Sequence, residues 1–184
     1  AELAFRIAHD SDPFNRWEAA QLLAKRELLS VLEIEEPKVL SDLFVAAWLQ
    51  ALGDPGIDAS LLTQLLVLPS EVYLGEQMAA IEPGLVHRAR QKARRQLAAA
   101  APDLLLARYR EGRQTQPYAA NPQQVGIRSL KNFCLSMLMM SENSQAIELC
   151  LEQYEFATNM TDRLAALTCL ASSSAAQRQS VLED

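Results

Sequence analysis

The sequence predicts an all-α protein made of irregular helical hairpins stacked into a superhelical, HEAT-like array. Three observations carry that expectation. Alanine and leucine dominate the chain while β-branched residues are sparse, and unbranched side chains lose little rotamer freedom in a helix. Apolar residues recur at three- and four-residue spacing through most of the chain. Ser, Asp, Asn and Pro stand where those periodic stretches begin, and no alternating segment bounded by turn residues suggests a strand hairpin. With 184 residues, 49% of them hydrophobic, six glycines and eight prolines, the chain can bury a real core and is expected to form a single helical domain over residues 1–184.

Taken in order, His9 to Phe14 supplies capping side chains and places Pro13 in a first helical turn, where its missing N–H costs nothing. The helix that follows puts Trp17, Ala20, Leu23 and Ala24 on one face and should end before Pro37. Ser41 or Asp42 caps a second helix carrying Phe44, Ala47, Trp48 and Ala51, and the turn Gly53-Asp54-Pro55-Gly56 stops it. Asp58 caps a short helix bearing Leu61, Leu62, Leu65 and Leu66, closed by Pro69, and Ser70 is placed to cap the next. Short connections of this kind imply antiparallel neighbours.

A long helix is predicted from Pro83 to about Ala100, and another follows Pro102 through Leu105, Leu106 and Tyr109. Gly112 to Ala120 is polar and reads as a loop. Asn121-Pro122-Gln123-Gln124 has the form of a capping box, in which each polar side chain satisfies an orphan amide. Ile127, Leu130, Phe133, Cys134, Met137 and Leu138 then recur at helical spacing. Asn143 opens a helix with Ile147, Cys150, Leu151 and Tyr154, and Asn159 or Thr161 caps one with Leu164, Leu167 and Ala171. Ser172 to Asp184 reads as a polar turn and the start of one more helix, for eight to ten helices in all. No self-similarity at a period of about 34 or 40 residues marks a regular array.

Composition narrows the function classes. A net charge of −6 repels a phosphate backbone, so nucleic acid is not an expected partner. No uncharged stretch, Leu43 to Gly53 and Ala59 to Ser70 among them, reaches the ~20 residues of a spanning helix, so no membrane segment is expected. Cys134, Cys150 and Cys169 are odd in number, lie among apolar residues and show no C-x-x-C spacing, which suits reduced core thiols in a cytoplasmic protein. No Met begins the chain and no signal peptide is visible at its start, which fits a processed chain or an excised piece.

Chemistry-bearing patterns are few. Hydrolytic zinc needs three ligands around one point, commonly two His one helical turn apart plus a carboxylate. The chain has only His9 and His87, neither followed four residues later by another His, so surface or capping roles are expected and no metal or catalytic residue is assigned. Neither a phosphate-cradling G-x-x-x-x-G-K loop nor a G-x-S-x-G elbow occurs. Arg88, Lys92 and Arg95 share one face of a helix whose other face carries Leu85, Ala89, Ala93 and Leu97, the pattern of a solvated amphipathic helix. Met137, Met139 and Met140 suit core packing at helical spacing, with a promiscuous groove as the other use. Asn159-Met160-Thr161 formally matches a glycosylation site and reads more simply as a helix cap.

One phrase, Asp12-Pro13-Phe14-Asn15-Arg16-Trp17-Glu18-Ala19-Ala20-Gln21, resembles the start of the C-terminal helical domain of bacterial aminopeptidase N, where a D-x-F-x-R-W-x-A-x-Q pattern occurs. Four more matches follow in the same order: Leu68-Pro69-Ser70, Ile81-Glu82-Pro83, the run from Arg128 to Leu135, and the run from Asn159 to Leu167. The resemblance covers nearly the whole chain. It implies an incomplete C-terminal domain of a larger multidomain zinc metallo-aminopeptidase of the gluzincin type, which releases N-terminal residues from peptides in the cytoplasm. The H-E-x-x-H zinc motif, its downstream Glu and the G-x-M-E-N segment of that family are absent from this sequence. Zinc therefore belongs to the parent's upstream catalytic domain, this chain holds no cofactor, and the chain alone is expected to catalyse nothing.

The implied partners are the catalytic domain of the same polypeptide and the parent's peptide substrates, with the helical domain enclosing the active site and restricting access to small peptides. Arg16 and Trp17 are the candidates for interdomain or cavity-edge contacts, because an Arg beside a Trp is typical of buried interfaces. A core role for Trp17 and a capping role for Arg16 are the other readings of the pair. Two alternatives of different class stand beside the accessory domain: a free-standing helical-repeat scaffold binding a partner protein in a groove, and a hydrolase using Cys134, Cys150 or Cys169.

Overall fold

Eleven α-helices and no strand make up the described residues of this computed structural model, which are 2–32, 40–113 and 117–183. The chain packs as two compact units, Ala1–Ala100 and Ala101–Asp184. The first holds α1 (Glu2–His9), α2 (Pro13–Leu32), α3 (Asp42–Gly53), α4 (Ala59–Leu66), α5 (Glu71–Gly75) and α6 (Pro83–Ala100). The second holds α7 (Pro102–Glu111), α8 (Pro122–Leu138), α9 (Ser144–Phe156), α10 (Met160–Ala171) and α11 (Arg178–Glu183), with a single 3₁₀ turn, Met139–Ser141, closing α8.

In the first unit α1 packs on α2 and α3, α2 reaches α4 and α6, and α5 lies on α6. Leu28, Leu52, Leu62, Leu66, Leu74, Val86 and Leu97 are fully buried at their meeting, each worth roughly 1.5–3 kcal/mol of transfer free energy. Polar side chains then tie helix ends together. The Trp48 indole N–H donates to Leu66 O at 3.1 Å, and Gln21 Nε2 donates to Val67 O at 3.0 Å, satisfying carbonyls that α4 leaves unpaired at its end. Arg90 Nε donates to Pro69 O at 2.9 Å.

In the second unit α7 packs on α8, α9 on α10, and α8 on α10. Gln153 meets Asp162 near the turn and Cys150 meets Ala166 farther from it, so α9 and α10 run antiparallel. Leu105, Cys134, Leu135, Cys150 and Leu170 fill the core. Gly112, just past α7, is required by a close approach: a Cβ there would lie 2.7 Å from Lys131 Cβ on α8.

The predicted caps are observed where they were read. Ser41, Asp58, Ser70, Asn121, Asn143 and Asn159 each accept an amide of the first turn of α3, α4, α5, α8, α9 and α10. The capping box at Asn121 is only half formed. Asn121 Oδ1 accepts Gln124 N–H at 2.8 Å, but Gln124 Oε1 reaches past the cap to the Ala119 amide at 2.7 Å. The structure also adds α1, which no cap or proline announces; Glu2 in its first turn and Arg6 and His9 in its last complement the helix dipole instead. The predicted end of α2 before Pro37 and residues 114–116 of the predicted loop lie outside the described residues. Arg88 and Arg95 on α6 are exposed, Ala89, Ala93 and Leu97 are buried, and Met137 and Met139 enter the core.

Candidate functional site

In the first unit, Arg16 and Trp17 occupy the opening turns of α2, and their surroundings differ. Asp12 Oδ1 accepts the Phe14 amide at 2.8 Å and starts the helix. Arg16 then points back to the preceding helix: its Nε–H donates to Ile7 O at 2.8 Å, and a terminal nitrogen stands 4.0 Å from Asp54 Oδ2. This is a C-terminal capping bond, a cation on a carbonyl that α1 cannot satisfy internally. Trp17 is 37% exposed and its ring stacks, tilted by 42°, against the exposed Phe14 ring at 5.6 Å. Trp48, on α3, is the tryptophan of the core, at 4% exposed.

A second constellation, in the second unit, takes Arg128, Lys131, Asn159 and Asp162 from the phrases Arg128–Leu135 and Asn159–Leu167, where no motif marks them as a site. Around the end of α7, the face of α8 and the α9–α10 turn lies a cleft of about 170 Å³, lined by Tyr109, Arg113, Tyr118, Arg128, Lys131, Glu152, Gln153 and Asp162 among others. Its wall is a hydrogen-bonded network. Lys131 Nζ lies 2.6 Å from Asp162 Oδ2, with both side chains more than nine-tenths buried. Asn132 Nδ2 donates to Asp162 Oδ1 and Asn159 Nδ2 to Oδ2, each at 2.9 Å. Gln153 Nε2 donates to both Asn132 Oδ1 and Asp162 O, which leaves Gln153 Oε1 buried with no donor among the described residues.

Burial alone would raise the Asp162 carboxyl, but hydrogen bonds from Lys131, Asn159 and Asn132 and the Lys131 charge outweigh it and hold the group below the usual carboxylate value. Arg113 and Glu152 form a half-exposed ion pair at the rim. Burial pushes Tyr109 up to about 12, and its O–H donates to Leu149 O.

Arg128 is held differently. It is 5% exposed, donates to Gln124 Oε1 and to Ala119 O, each at 3.1 Å, and lies 4.6 Å from the centre of the Tyr118 ring. These partners are all neutral.

Cys134 and Cys150 are fully buried and lack the setting of a nucleophile. Burial pushes Cys134 up to about 12, and a hydrogen bond with Cys169 together with burial raises Cys150. A reactive thiol needs a depressed value and an electropositive approach. The donor set does not fit zinc either. His87 Nδ1 pairs with Glu71 at 2.9 Å and His9 stacks on Phe5, and among the described residues no three His, Cys, Asp or Glu side chains gather as metal ligands. No helix among the described residues is long and apolar enough to cross a membrane.

The family model described as "Domain of unknown function (DUF3458_C) ARM repeats" matches residues 1–184. The chain belongs to this family. Its stacked hairpins are thus helical repeats of the ARM type, in keeping with the all-α, HEAT-like array expected from the sequence. The chain is 33% identical to aminopeptidase N of Escherichia coli (strain K12) over 186 residues, covering 100% of this chain and 21% of that protein. It is 29% identical to aminopeptidase N of Caulobacter vibrioides over 174 residues, 95% of this chain and 20% of the relative. In fold it is similar to a crystal structure of Legionella pneumophila aminopeptidase A in complex with aspartic acid, with a TM-score of 0.84, 24% identity, and coverage of 100% of this chain and 22% of that one.

The chain spans about a fifth of the length of these relatives and matches their C-terminal part. The resemblance read from five short phrases is therefore correct at the level of the family and of the region.

Proposed function

We propose that residues 1–184 serve as one non-catalytic helical domain of a larger zinc-dependent aminopeptidase N, covering the catalytic domain and limiting peptide access to its active site. The single observation that carries this is the match over the whole chain, at 33% identity, to the C-terminal part of an aminopeptidase N. In this reading the zinc ligands and the general base stand upstream, and the parent enzyme releases N-terminal amino acids from peptides in cytoplasmic peptide catabolism. What the helical domain supplies is exclusion. A cover that keeps bulk water and large substrates away strengthens the electrostatics at the metal and selects by size without adding a reacting group.

Within that role Trp17, with its stacked partner Phe14, is one of the large apolar side chains at the surface of the first unit available for an interdomain or cavity-edge contact, while Arg16 fixes the turn that presents it. The test begins with the coding frame upstream of Ala1, which should contain H-E-x-x-H; a frame without it overturns the proposal. The extended polypeptide is then assayed on an aminoacyl anilide and on long peptides. Trp17→Ala is expected to change kcat/KM for the long peptides more than for the anilide. Equal effects on both would refute the assignment of Trp17.

A further inference from the structure

Among the described residues, Arg128 is a buried guanidinium whose partners carry no charge. A cation taken out of water needs a counter-charge or dense hydrogen bonding, and breaking such a pairing is strongly unfavourable. Lys131 meets that requirement with the carboxylate of Asp162. Arg128 lies 5% exposed with no carboxylate within ion-pair distance among the described residues. A guanidinium has five N–H donors in a rigid planar fork, and the bonds to Gln124 Oε1 and Ala119 O use two of them. The Tyr118 ring on its face desolvates and orients the fork without neutralising it.

The side chain also borders an accessible cleft, so a solute can reach what the fold leaves uncompensated. The cleft charges close to one net positive: Arg113, Arg128 and Lys131 against Glu152 and Asp162, with both acids already paired. The rigidity of the surroundings agrees with a preformed receptor. Gln124, which holds Arg128, is itself held by Ala119 N–H and Pro117 O.

We propose that this cleft binds a carboxylate group, with Arg128 as its receptor and Tyr118 as the wall against which the ligand's apolar part lies. A carboxylate matches the fork in plane and in charge, whereas a dianionic phosphate would meet the Glu152 and Asp162 carboxylates in the same small space. The carboxylate can be that of a small organic acid or the C-terminus of a peptide. The proposal stands apart from the enzyme-level role above, since it concerns binding by this chain alone.

The test is a titration of the chain followed by the Nε–H resonances of its arginines, with succinate, an N-acetylated dipeptide acid, the matching dipeptide amide, and sodium chloride at equal ionic strength. The acid probes are expected to shift the Arg128 resonance saturably, the amide and chloride not to. Binding of both acids identifies a general carboxylate receptor, and binding of the dipeptide acid alone identifies a peptide C-terminus. Arg128→Gln should weaken binding about tenfold or more while Arg95→Gln, an exposed side chain on α6, leaves it unchanged. Should Arg128→Gln fail to fold, Arg128→Lys keeps the charge but loses the fork and should still weaken binding severalfold. Equal shifts with amide and acid, saturation by neither acid, or unchanged affinity in the folded Arg128 variant would overturn the proposal.

Discussion

Lys131 and Asp162 show what a single pair does in this molecule. Separated by 31 positions, they meet at 2.6 Å behind nine-tenths burial, and Asn132, Asn159 and Gln153 complete the shell. Removing one charge leaves the other uncompensated, so Asp162→Asn is expected to destabilise the chain by about 3 kcal/mol in urea unfolding. Because the folded Asp162 carboxyl lies below its ordinary value of 3.8, its contribution is present in full well above that value. It is lost as the pH falls through 3.8 toward the lower folded value. The acid limb of the stability profile should therefore flatten in Asp162→Asn; an unchanged limb would mean that other carboxylates carry it. The tryptophans give a contrast that sequence alone left open. Trp48→Ala removes a side chain 4% exposed and orphans Leu66 O, for about 3–5 kcal/mol, whereas Trp17→Ala, at 37% exposure, should cost under about 1.5 kcal/mol in the same denaturant series.

Helices here are stopped and started by side chains that act within three residues, and joined by side chains that act across tens of residues. The first kind was legible. Ser41, Asp58, Ser70, Asn143 and Asn159 cap where they were expected to, because the amide each accepts is fixed by the helix that follows it. The second kind was not: Gln21 to Val67, Trp48 to Leu66 and Arg90 to Pro69 depend on which helices become neighbours. Gly112 belongs with them. Its backbone is in the right-handed region, so nothing local demands glycine, and only the approach of Lys131 Cβ does. Gly112→Ala should then destabilise by about 1–3 kcal/mol through overpacking rather than stabilise by restricting the unfolded chain; a thermal melt at or above the parent's would show that α7 and α8 can separate without loss.

At the scale of the whole chain, the prediction concerns what it does alone. Purified and supplied with zinc, it is expected to release nothing from an aminoacyl anilide, since in the proposed reading the zinc ligands stand upstream and Cys134 and Cys150 are buried thiols with raised values. Turnover that copurifies with the chain would contradict this and revive a cysteine-based reading. The sequence by itself determined the all-α class, most helix starts and the family, because propensity, spacing and caps are local and the family phrases are contiguous. Arg16, Gln21, Lys131 and Asp162 lie in those phrases, and each proves to tie one helix to another. Only the tertiary structure decided that Arg16 caps α1, that Trp48 and not Trp17 is core, and that Arg128 faces a cleft with neutral partners. The physical reason is burial. Whether a polar group is a solvated ornament or an uncompensated charge depends on what packs around it, and that is settled by residues far away in the chain.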